Sequence, residues 1–166
     1  MKKRILLLFL TVLLLAGCSP KKNSSEVSCY FPSTEYRYNS PDGSIAHEIR
    51  SNEGISSSTE VMNLYLKGPM DETLHNLFPN DLAVLAVYTT EDSVYVTVSD
   101  SLAVLSGARL ILCCACLGRT AMDLTGTSSA QIRCESLLLD GKQSITINEK
   151  TVFYSDTFHQ ANPEVP

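Results

Sequence analysis

The sequence predicts an α+β fold. It describes a single small domain, a mixed β-sheet with two helices on one face, in the order β-β-α-β-β-α-β-β behind an N-terminal leader. Three observations lead there. Short apolar or alternating runs come in pairs bounded by Gly, Pro, Asn, Asp and Ser, as strands do. Two longer stretches, 58–67 and 107–122, place apolar residues at helical spacing. Strand pairs and helices then alternate in groups, which packs the helices together against one side of a sheet.

The chain opens Met1-Lys2-Lys3-Arg4, runs apolar from Ile5 to Ala16 and closes with Leu15-Ala16-Gly17-Cys18. Positive charge, a short apolar run and small residues before a cut make a secretory signal. Crossing a bilayer takes about 20 apolar residues, and this run has 12. The four closing residues resemble the bacterial lipobox. That resemblance implies cleavage before Cys18, lipid on the Cys18 sulfur, and a protein held at the extracytoplasmic face of the membrane. Residues 1–17 are thus read as a lipoprotein signal peptide. Residues 18–28, small and polar, form a lipidated flexible tether. Residues 29–158 form the domain and 159–166 a disordered tail.

Within the domain, Cys29-Tyr30-Phe31 begins a strand. Pro41-Asp42-Gly43 is a turn, since Pro presets φ and Gly accepts positive φ. Ile45, His47 and Ile49 then alternate with Ala46, Glu48 and Arg50, a second strand. Ser57 and Glu60 have capping-box spacing at the head of the first helix, and Val61, Leu64 and Tyr65 mark its apolar side. Gly68 suits a left-handed stop, and Pro69 forbids continuation. Leu82 to Tyr88 is nearly all apolar, as in a strand covered on both faces. Thr90 to Ser93 is a turn, after which Val94, Val96 and Val98 alternate with Tyr95, Thr97 and Ser99. The second helix carries Leu110, Ile111, Cys114, Leu117 and Ala121 on one stripe. Gln131 to Leu139 is a strand closed by Asp140-Gly141, and Ser144 to Ile147 pairs back as a hairpin.

Composition narrows the function classes. Of 13 Lys and Arg, three lie in the leader, so 10 remain against 18 Asp and Glu, a balance of about −8. Such a surface excludes nucleic acid, whose binding rests on cations neutralising phosphates. It also leaves the lipid, not charge, to hold the protein at the membrane. The 149 residues after the leader suffice for one core. Lipid on Cys18 leaves five cysteines, Cys29, Cys113, Cys114, Cys116 and Cys134. That odd number is too small for a disulfide scaffold, and their pairing stays open.

No catalytic or cofactor motif stands out. His47, His75 and His159 are scattered. There is no His-Glu-x-x-His, no Gly-x-Ser-x-Gly and no phosphate-cradling glycine loop. Asp71-Glu72 and Glu91-Asp92 read as solvated pairs in turns. Cys113 and Cys116 share a helix side at i, i+3, but a zinc site needs four ligands and a reactive Cys-x-x-Cys sits at a helix N-terminus. The cysteines are therefore expected to be core residues, with a disulfide or a redox or metal role as the rivals. No catalytic residue, cofactor or metal is expected.

The segment Val61-Met62-Asn63-Leu64-Tyr65-Leu66-Lys67-Gly68-Pro69 resembles the most recognisable stretch of the GerMN domain, the module named after the spore-germination protein GerM. In order behind it come Pro79-Asn80, the apolar run Leu82 to Val87, the acidic turn Glu91-Asp92, Val94 to Ser99, and Asp140-Gly141-Lys142. Leu112 to Leu117 departs from the resemblance, being apolar where the family is polar. The resemblance implies a non-enzymatic extracytoplasmic module that binds envelope or sporulation proteins, with self-association as a further expectation. The alternatives are a solute- or carbohydrate-binding lipoprotein and, behind it, a thiol redox protein using Cys113 and Cys116.

Overall fold

The computed structural model describes residues 25–33, 45–134 and 144–148. Its elements are β1 (Glu26–Pro32), β2 (Ile45–Ser51), α1 (Ser58–Tyr65), β3 (Val84–Thr89), β4 (Ser93–Val98), a 3-10 turn (Asp100–Val104), α2 (Gly107–Thr125), β5 (Ser129–Arg133) and β6 (Ser144–Asn148). The α+β class and the expected order hold. Cys18, the Pro41-Asp42-Gly43 turn, residues 135–139 of the expected strand, Asp140-Gly141-Lys142, His159 and the tail 159–166 lie outside the described residues. Strand β1 begins at Glu26, inside the segment read as tether.

The strands divide between two sheets instead of forming one. β1 and β2 make an antiparallel pair, and β3-β4-β5-β6 make a four-stranded sheet. Within the larger sheet β3–β4 and β5–β6 are antiparallel and β4–β5 is parallel. A parallel pair needs a long crossover, and α2 supplies it. The cause of the division is α2 itself. Residues Cys113 to Gly118 are all buried, so this helix has a neighbour on both sides, as an all-round apolar helix must. Gly118 faces β6, where an added Cβ would lie 2.8 Å from Ile147 Cβ. On the opposite side, two residues on, Thr120 Oγ1 accepts the Tyr30 N–H of β1 at 2.9 Å, and Asp123 Oδ2 accepts the Ser28 N–H at 2.6 Å. Layer order is therefore hairpin, helix, sheet.

Those two bonds also occupy the edge of β1 that β2 does not pair. Edge strands invite association unless covered, and β3 is covered in the same manner by α1. Asn63 donates Nδ2 to the Val84 carbonyl (2.9 Å) and accepts the Val84 N–H (3.0 Å), mimicking a strand partner. Thr59 Oγ1 accepts the Val87 N–H at 3.2 Å. A polar residue within an apolar helix thus has a structural reason.

Both helices end at glycines with positive φ. α2 runs to Thr125 and stops at Gly126 (φ 71°), whose N–H reaches the Met122 carbonyl at 2.8 Å. After α1 the chain makes one more turn to Gly68 (φ 99°), where a Cβ would meet Asn76 Nδ2 at 2.8 Å. Ser57 starts α1 in extended backbone without a side-chain cap bond, so the expected capping box does not form. The core includes Phe31, Met62, Tyr65, Val94, Val96, Val98, Leu102, Leu117, Ile132 and Ile147, all at most 2% exposed.

The expected covering of Leu82 to Tyr88 on both faces is not found. β3 is an edge strand with a register irregularity between Val84 and Ala86, and Leu85 is 62% exposed. In β2 the isoleucine pattern also misleads: Ile49 is 65% exposed, while Glu48 and Arg50 are half-buried. The Arg50 guanidinium lies 5.4 Å from the Phe31 ring centroid and donates to the Gly68 carbonyl at 2.5 Å. Glu48 takes hydrogen bonds from Arg50 and from the Met70 and Asp71 N–H groups, 3.0 and 2.9 Å from Oε2. The pair fastens the connector after α1 to the hairpin. Burial alone would raise the Glu48 pKa, but these hydrogen bonds outweigh it and hold the carboxyl below its ordinary value. A carboxyl whose pKa is lower folded than unfolded stabilises above its unfolded pKa, and that stability is lost as pH falls through the folded value. Melting curves should therefore show wild type more stable than Glu48→Gln at pH 6, with the gap closing toward pH 3. A constant gap would remove Glu48 from the fastening role.

Candidate functional site

The cysteines singled out for chemistry in the sequence fall in the core. All five described cysteines are buried. Burial, followed by neighbouring cysteines, pushes the Cys113 and Cys114 thiols far above the ordinary range, and burial does the same to Cys116 against the opposing charge of Arg119. A thiol held protonated is a poor nucleophile and a poor metal ligand. They pack as small apolar residues, as expected. Cys134 sits just after β5, with its Sγ 3.6 Å from the Ser99 carbonyl. His47 packs its ring 5.2 Å from Tyr30, and the His75 N–H bonds the Pro32 carbonyl. Among the described residues, no three His, Cys, Asp or Glu side chains are grouped to hold a metal. Asp71 is used locally: its Oδ1 accepts from the Thr73 N–H and hydroxyl, which lowers its pKa.

The chemistry on offer lies on the outer face of the four-stranded sheet. Side chains alternate across a strand. Val94, Val96 and Val98 of β4 point inward with Ala130 and Ile132 of β5, all buried. Tyr95 and Thr97 therefore point outward, beside Gln131 and Arg133 in the parallel register and Tyr88 and Ala86 in the antiparallel one. Tyr88 and Tyr95 are direct partners across the hairpin. Their rings stack with centroids 4.7 Å apart and planes 2° from parallel. The Arg133 guanidinium carbon stands 4.9 Å from the Tyr95 centroid. Its Nη1 donates to the Tyr88 hydroxyl at 3.1 Å, and Nη2 donates to Gln131 Oε1 at 3.4 Å.

Four side chains from three strands thus hold one another in place on an exposed surface. Tyr88 is 46% exposed. Such a cluster loses little conformational freedom when a ligand arrives, because its rotamers are already fixed. Tyrosine and arginine are also the side chains that most often carry binding energy. The outward positions of the four strands hold no carboxylate, in a chain with 18 acidic residues. No clustering of aromatics was expected from the sequence. The signal was there: a hairpin turning at Glu91-Asp92 sets residue 88 opposite residue 95.

Fold and surface define an α+β domain whose exposed chemistry is a preordered cluster of tyrosine and arginine side chains on the outer face of a sheet. Residues 28–143 match the family model Germane, described as sporulation and spore germination, and the chain belongs to that family. No curated protein matches the chain. Among solved structures, the chain is similar to a candidate lipoprotein from Clostridium perfringens, known at 2.5 Å, with 16% identity and a TM-score of 0.43 over 76% of this chain and 89% of that one. Among the described residues no helix is long and apolar enough to cross a membrane.

Proposed function

We propose that this protein is a lipid-anchored, non-catalytic binding module of the cell envelope, serving assembly in sporulation or germination. Cys18 carries the lipid and tethers the domain at the extracytoplasmic face of the membrane. The open sheet face is the recognition surface, and it holds another envelope component near the membrane. The carrying observation is the preorganised Tyr88–Tyr95–Arg133 cluster, exposed while every described thiol is buried. Membership of a sporulation and germination family supports the setting. The leader and Cys18 support the anchor.

Anchoring and recognition separate in one experiment. Cells making wild type, Cys18→Ser or Tyr88→Ala are labelled with an alkyne fatty acid, fractionated and cross-linked. Cys18→Ser should lose the label and leave the membrane fraction. Tyr88→Ala should keep both and lose a cross-linked envelope partner. Equal labelling of wild type and Cys18→Ser would sink the anchor.

A further inference from the structure

We infer that the open face of the four-stranded sheet, centred on Tyr88, Tyr95 and Arg133, is a carbohydrate-binding platform for a neutral chain of pyranose rings. The inference rests on the reading of this face as the recognition surface and names what it takes. Aromatic rings carry negative faces, which attract the weakly positive C–H groups lining one side of a sugar ring. Tyr95 lies between Tyr88 and Arg133, so the ring surface on offer is the outer face of Tyr88, 46% exposed at the margin of the sheet. Hydroxyl groups need donors and acceptors around that ring surface, and Thr97, Gln131, Arg133 and Thr146 supply both on the same face.

Charge and size exclude the other occupants. Stacked aromatics with arginine on an open sheet also suit single-stranded nucleic acid, but a chain with a balance of −8 after its leader repels a polyanion. A second copy, equally acidic, brings the same repulsion. Four strands about 4.8 Å apart and five residues long at about 3.3 Å each give a face of roughly 300 Å² in plan. Even doubled for side-chain relief, that is below the roughly 800 Å² per partner of a stable protein interface. A narrow, uncharged, hydroxyl-rich chain fits the area.

The full-length lipoprotein in detergent micelles is titrated by calorimetry with two neutral probes, a β-1,4-linked N-acetylglucosamine hexamer and maltohexaose. Wild type should bind at least one. Tyr88→Ala and Tyr95→Ala should each weaken that binding at least tenfold, while Tyr88→Phe, which keeps the ring, stays within threefold. Arg133→Gln should weaken it severalfold. Melting temperatures of the variants guard against unfolding, and exposed Tyr88 should tolerate Ala. Binding of neither probe, or binding indifferent to Tyr88→Ala, overturns the carbohydrate assignment. If Tyr88→Ala still loses a cross-linked protein partner in cells while neither probe binds, the face is a recognition surface for protein. If it loses neither, the face is not the recognition surface at all.

Discussion

Gly118→Val is expected to lower the melting temperature by roughly 10 °C, since overpacking a tight core costs typically 1–3 kcal/mol and more for a rigid side chain. Gly118 lies mid-helix, where glycine is about 1 kcal/mol worse than alanine. Its presence therefore needs a reason, and Ile147 supplies it. A Cβ at 118 would stand 2.8, 2.9 and 3.1 Å from Ile147 Cβ, Cγ1 and Cγ2. The contacted atoms sit next to the β6 backbone, so no distant side-chain end can swing away. Valine adds two methyl groups with one favoured rotamer in a helix. The parting of α2 from β6 would loosen the side of the sheet farthest from α1. Gly118→Ala should cost less than Gly118→Val, and Gly118→Ala/Ile147→Ala should recover part of the loss that Gly118→Ala causes. A Gly118→Val protein melting within about 2 °C of wild type would mean that α2 and β6 do not meet at Gly118 and Ile147.

The same helix shows what could be read from sequence. The alternation of Val94, Val96 and Val98 located β4 and its buried face, and Gly68-Pro69 located the end of α1, because turn chemistry and period are local properties. The two-sheet division is not local. Cys113, Cys114, Ala115, Cys116 and Gly118 are small residues all round a helix, and only packing on two sides uses them all. Reading one stripe through Cys114 and Leu117 captured the sheet side and missed the side facing β1. The apolar run Leu82 to Tyr88 misled for a related reason. Its edge is closed by Asn63 and Thr59 of α1, polar residues 21 and 28 positions away from the groups they bind, so Leu85 need not be covered. The Tyr88–Tyr95–Arg133 cluster depends on register across three strands. Tyr88 and Tyr95 could be paired from their turn, but Arg133 arrives through a parallel crossover that no local signal fixes.

Thr120→Val and Tyr65→Phe are each expected to destabilise the protein by about 1–3 kcal/mol, and the double variant by less than their sum. The hairpin and the two helices meet in a closed circuit of hydrogen bonds. The Tyr30 N–H donates to Thr120 Oγ1, the Tyr65 hydroxyl donates to the Tyr30 carbonyl at 2.6 Å, and the Thr120 hydroxyl is left to donate to Tyr65 Oη. β1, α1 and α2 each contribute one member. Tyr65 and Thr120 are both fully buried, and burial holds the Tyr65 phenol well above its ordinary pKa, so the circuit stays neutral. Thr120→Val keeps the volume and removes the hydroxyl that accepts the Tyr30 N–H. Tyr65→Phe keeps the ring contacts with Phe31 and Phe78, at 4.9 and 5.0 Å, and strands the Tyr30 carbonyl and the Thr120 hydroxyl. An orphaned buried group carries its desolvation penalty once, whichever partner is removed. Polarisation around the ring couples the members further. Urea titration of the four proteins gives the coupling directly. A coupling near zero would show that the Thr120–Tyr65 link is not made, and that the two helices are joined by apolar packing alone.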